Sequence, residues 1–133
     1  MPGYYVCSIG RPGEGYDDEN LRRCLMDRGF RLHKGCAQRG PIADIQSGDL
    51  LILKYQDGFI AYGRATAQVE EEAETVTNGG WIFKVPVALW ITGKKISKYG
   101  IQDAQISGAP FDAVKEVSRT FALEKIEEIG FPF

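Results

Sequence analysis

Four groups of residues in this chain have types and spacing suited to chemistry. Asn78-Gly79-Gly80 runs directly into Trp81, and the second tryptophan, Trp90, follows on the same stretch. His33, the single histidine, stands three residues before Cys36. A glycine-rich loop, Gly10-Arg11-Pro12-Gly13-Glu14-Gly15, precedes Asp17-Asp18-Glu19. Residues 22 to 39 carry Arg22, Arg23, Arg28, Arg31, Lys34 and Arg39 against only Asp27, with a second basic cluster at Lys94, Lys95 and Lys98.

Each group implies a different chemistry. A tryptophan held after two glycines can lean over the end of a sheet and stack a flat ligand, or it can pack into the core; position alone leaves both open. A Cys–His pair is the kernel of a nucleophilic site, but nothing nearby supplies a third group to orient the base. The glycine-rich loop lacks the Lys-Ser/Thr ending of a phosphate loop. Three carboxylates at the following helix N-terminus also occupy the place an anion would take. Three cysteines and one histidine without finger-like spacing predict no metal site. Paired acids fall where caps and solvated loops fall, so no catalytic residue is assigned and no cofactor is expected.

Composition narrows the class. At 133 residues, 44% apolar and 26% charged, the chain reads as one globular domain spanning 1–133. No apolar run is long enough to cross a membrane, and MPGYYVCSIG lacks a signal pattern. An odd number of unpaired cysteines fits a reducing, cytoplasmic setting. The net charge of −2 argues against a protein that coats nucleic acid electrostatically. The charges read as a dipolar surface, with the base at 22–39 and the acid at Glu70-Glu71-Glu72 and Glu74.

Several elements must position these groups. Tyr4 to Ile9 is aromatic and β-branched, a first strand. Asp17 or Asp18 can cap a helix whose Leu21, Cys24 and Leu25 recur with helical spacing, and Gly29 suits its left-handed stop. Phe30 to His33 is a short second strand. Two strand-like runs in GDLLILKYQDGFIAYGRATAQV flank Asp57-Gly58, which predicts a tight hairpin. The pattern predicts another strand over 81 to 91, with Trp90 in the core. Pro110 starts a last helix whose stripe is Phe111, Val114, Val117, Phe121 and Ile126, closed by Gly130. The order is β-α-β-ββ-β-α. The fold class expected is α+β: a small, mostly antiparallel curved sheet or pseudo-barrel with helices packed outside.

In their order and spacing these pieces resemble the PUA-like superfamily in its EVE and YTH-like branch. YYVCS matches the opening strand, ENL the helix start, and the Asp57-Gly58 hairpin the central hairpin with its Ile-x-x-Gly-x-Ala run. GGWIFKVPVALWI is similar to the strand after the cage loop, and GAPFDAVKEVSRTFALEKI to the closing helix of EVE domains. The resemblance implies a non-enzymatic reader that sandwiches one flipped, modified (for example methylated) nucleobase in an aromatic cage. Phe30 and Trp81 would be its walls, with Ser8 and Ile9 at the base edge. Arg11, Arg22, Arg23, Arg31, Lys34, Arg39, Lys94, Lys95 and Lys98 would contact phosphates. The partner implied is DNA or RNA, with an effector protein such as a nuclease; the oligomeric state stays open. Phe stands where the first cage Trp is expected and Cys7 where a Lys is expected, so the base identity is left open. The alternatives are a small enzyme using Cys36 and His33, and an interaction domain whose aromatics are all core.

Overall fold

The computed structural model describes residues 2–9, 18–36, 39–55, 58–92, 97–98 and 113–130. The glycine-rich loop with Arg11, the turn residues Gln56 and Asp57, and Lys94-Lys95 lie outside them, as does the side chain of Lys98.

Among the described residues eight strands form two sheets. β1 (Tyr4–Ser8), β3 (Leu50–Tyr55), β4 (Gly58–Arg64), β7 (Ser97–Lys98) and β8 (Val114–Glu116) make a five-stranded sheet in the order β7-β4-β3-β1-β8. β2 (Gly29–Leu32), β5 (Glu70–Glu71) and β6 (Phe83–Pro86) make a three-stranded sheet in the order β2-β6-β5. The sheets meet at bridges Ala65↔Val87 and Tyr62↔Ile91, and no barrel closes among the described residues. The architecture is α+β, as the pattern predicts. One pairing differs: β1 and β3 run parallel, with Val6 opposite Ile52, because the helix and β2 intervene and return the chain to the same end.

The five-stranded sheet is apolar on both faces, which is why its strands read as continuous hydrophobic runs. One face contributes Tyr5, Cys7, Leu51, Leu53 and Ala61 to a core shared with Phe30, Val85 and Trp90. The other contributes Val6, Leu50, Ile52, Phe59 and Tyr62 to a second core under α2 (Arg119–Ile129). α1 (Asp18–Asp27) packs on β2 and is pinned by Trp90, whose Nε1–H donates to the Cys24 carbonyl at 2.9 Å. Trp90 is thus a core residue, 8% exposed, with its polar handle satisfied at the helix end.

Three expectations change. The left-handed residue after α1 is Arg28, at φ 53, not Gly29. Gly29 instead opens β2, where a Cβ would lie 2.7 Å from Lys84 Cε and 2.9 Å from the Val85 carbonyl oxygen; its smallness serves the β2–β6 contact. The last helix begins at Arg119, with the Ser118 side chain accepting from the Phe121 N–H. Val114 belongs to β8, which pairs antiparallel with the otherwise open side of β1. The strand expected over 81–91 is regular only over Phe83–Pro86.

Candidate functional site

The structure divides the expected site residues between two places. Ser8 and Ile9 end β1. Ser8 N–H donates to the Ala113 carbonyl at 2.8 Å and Ile9 N–H to the Lys54 carbonyl at 3.0 Å, so strand pairing occupies both amides. What Ser8 can offer a ligand is its half-buried hydroxyl. Phe30 lies in the same core cluster as Ile9, with no exposed surface. Two partly exposed aromatics, Tyr55 and Phe83, pack against that cluster, as does Cys36.

The Arg39 backbone carbonyl accepts from Val114 N–H at 3.1 Å, which places it next to the end of β1 through β8. Its guanidinium lies 4.4 Å from the Phe83 ring centroid, with Nε–H donating to the Cys36 carbonyl at 3.1 Å. A flat, delocalised cation therefore covers an aromatic face at the end of the core. Alternation over 81–91 puts Phe83 on one face with Trp81, Val85, Val87 and Leu89, but its partial exposure depends on where β2 and β6 end, which local pattern does not encode.

Trp81 is elsewhere. It is 2% exposed but not a member of either apolar cluster, and its aromatic neighbour is His33, edge-on at 5.1 Å between centroids. A polar turn holds it there. Asn78 Oδ1 accepts from Thr75 N–H at 3.0 Å and Gly80 N–H at 3.1 Å, while Asn78 Nδ2 donates to the Ala73 carbonyl at 2.9 Å. Gly80, at φ 87, leaves room for the histidine: a Cβ there would meet His33 Nε2 at 2.9 Å. His33 Nδ1 accepts from Gly35 N–H at 3.0 Å. Between positions 33 and 36 the bond is a backbone one, Cys36 N–H to the His33 carbonyl at 3.0 Å.

Among the described basic residues, Arg23, Arg31 and Lys34 stand in ion pairs, that of Lys34 at the exposed surface. Arg31 is 6% exposed. Its guanidinium bonds Asp27 at 3.1 Å, Glu72 at 2.7 Å and the Trp81 carbonyl at 3.0 Å. Arg23 donates to the Thr77 carbonyl at 3.1 Å and reaches Glu19 at 3.5 Å, and Lys34 pairs with Glu74 at 2.7 Å. The acidic run and the basic run, read as opposite poles in the sequence, are neighbours in space. The dipolar surface is therefore corrected: burial of Arg31 is possible only because carboxylates from α1 and the 70–74 segment accompany it. Between α1 and that segment lies a cleft of about 670 Å³, lined by Arg22, Met26, Thr75 and Thr77 among others. Arg22 and Arg39 are exposed.

The remaining titratable groups argue for inert thiols at two positions. Burial pushes Cys24 up to about 12, and burial pushes Cys7 higher still. Among the described residues no cluster of three or more His, Cys, Asp or Glu could hold a metal ion. No helix among them is long and apolar enough to cross a membrane.

No protein-family model matches the sequence, and no curated protein does. Solved structures do match in shape. The YTH domain of the Zygosaccharomyces rouxii MRB1 protein, in complex with N6-methyladenosine RNA, superposes with a TM-score of 0.64 at 9% identity, over 100% of this chain and 90% of that one. The Mmi1 YTH domain gives 0.56 at 11% identity, over 92% and 90%. A Rhodopseudomonas palustris protein solved by NMR gives 0.59 at 7% identity, over 96% and 93%. At these identities the likeness establishes the fold, which is YTH-like.

Proposed function

We propose that this chain is a non-enzymatic nucleic-acid reader, one domain over residues 1–133, that holds a flipped, modified nucleobase. The observation that carries the reading is the fold likeness, end to end, to a domain solved with N6-methyladenosine RNA. The site fits at the end of β1. There Phe83 is the aromatic face a base can reach, and the Arg39 guanidinium at 4.4 Å lies where a stacked base would lie. On binding, Arg39 moves to a neighbouring phosphate and the base takes its place, with the Ser8 hydroxyl at its edge and Ile9 beside it.

Phe30, expected as a wall, is the floor in this reading, because its ring is covered. Trp81 fixes His33 and the 75–80 turn, and becomes a wall only if that turn opens. Base stacking is worth roughly 1–3 kcal/mol per ring, of the order needed to hold an unpaired or modified base out of its stack. Arg22 and Arg39 supply the exposed phosphate contacts, so the affinity is moderate and salt-sensitive. An enzyme built on Cys36 and His33 is less well supported: Nδ1 accepts a backbone N–H and the ring packs edge-on against Trp81.

The test is a titration of modified and unmodified DNA and RNA strands at one low salt concentration, with wild type and Phe83→Ala. Wild type should prefer one modified strand, and Phe83→Ala should lose that preference while keeping its fold. Binding indifferent to modification would end the reading.

A further inference from the structure

On the face of the five-stranded sheet covered by α2, the helix leaves a groove. This cavity of about 420 Å³ is lined by Tyr4, Leu50 and Tyr62 of the sheet, with Leu89 and Leu123 at its sides. Leu89 is 55% exposed and Leu123 45%, so apolar side chains open to water stand at the groove beside the exposed Arg64 and Arg119 that also line it.

The charges of α2 oppose its own macrodipole. Arg119 is its first residue with no acid in the first turn, and the last turn carries no base. Glu128 is accounted for by its pair with Lys125 at 3.2 Å. Arg119 and Glu127, both exposed, are not accounted for by the helix itself. They stand four residues before and four residues after Leu123, which places all three on one stripe. A stripe of this kind is its own complement. With a second copy packed antiparallel across Leu123, Arg119 of each copy meets Glu127 of the other, and symmetry makes the contact twice.

We propose that this face is a self-association surface. Two copies of the chain pair antiparallel through α2 about a two-fold axis at Leu123, and Leu89 of each enters the groove of the other. A helix ~16 Å long and ~10 Å wide offers a face on the order of 160 Å², short of the ~800 Å² that a standard interface takes from each partner. The Leu89 wall supplies further contact, and the pairing depends on protein concentration.

Sedimentation equilibrium across a range of concentrations tests it, with Arg119→Glu, Glu127→Arg, their double variant, and an equimolar mixture of the two single variants. Each single reversal suits the macrodipole better than the natural residue, so folding is retained, as far-UV dichroism will verify. Wild type should shift from monomer to dimer with concentration, and each single variant should stay monomeric. The mixture should restore dimers, because one copy then presents two acids and the other two bases; the double variant should dimerise with itself. A wild type that remains monomeric throughout overturns the proposal. So do single reversals that leave association unchanged, or a mixture that fails to restore it.

Discussion

Replacing Arg31 with methionine separates the two roles open to this residue, a phosphate contact or an internal clamp. Methionine keeps most of the aliphatic stem and removes the guanidinium. The lost bonds are those to Asp27 at 3.1 Å, Glu72 at 2.7 Å and the Trp81 carbonyl at 3.0 Å. Removing one member of a fully buried ion pair costs ~3–5 kcal/mol. Here the carboxylates are 45% and 36% exposed and can return to water, so their share is discounted. Adding the orphaned carbonyl, at roughly 1 kcal/mol, gives a total of about 2–3 kcal/mol. For a chain of this length that lowers the melting temperature by on the order of 10 °C. Thermal unfolding followed by circular dichroism reads this directly. In parallel, the slope of log affinity against log salt for a bound oligonucleotide should not change, whereas a lost phosphate contact lowers it by ~1. An unchanged melting temperature with a reduced slope would refute the clamp and return Arg31 to the binding surface.

Other perturbations follow the same logic. Trp81→Ala should cost ~3–5 kcal/mol in denaturant unfolding, as expected of a ring 2% exposed; a loss under ~1 kcal/mol would mean the ring is available to a ligand. Tyr62→Phe should leave stability unchanged or raise it by up to ~1 kcal/mol, since Oη is buried without a hydrogen-bond partner. Alkaline pH should destabilise the fold: the Cys24 thiol, pushed from 9.0 up to about 12 by burial, stays neutral when folded but ionises when unfolded. Its contribution is complete below pH ~8.5 and is lost as pH rises toward the folded value. Unfolding midpoints should fall through that window, and a native-state thiol reagent should label Cys36 before Cys7 or Cys24.

Local pattern determined a good deal of this protein. Alternating and continuous apolar runs mark β1, β3 and β4, helical spacing marks α1, and the run around Trp90 marks it as core, because each depends on side chains a few residues apart. The likeness in order and spacing to YTH-like chains pointed to the fold the structure has. The last helix was partly legible: Gly130 ends it, but Val114 and Val117 fit a helical stripe as well as they fit a strand. The open edge of β1 settled Val114–Glu116 as β8, and no local window contains that edge. Charge was where sequence reasoning fell shortest. Arg31 and Glu72 are 41 positions apart, yet they share a bond of 2.7 Å. Only the packing of α1 and the 70–80 segment over the small sheet could bury Arg31 and bring an exposed-looking basic run against partly exposed carboxylates. The same packing covers Trp81 and leaves Phe83 partly exposed under Arg39, because burial is a property of which surfaces meet and not of the residues taken one by one.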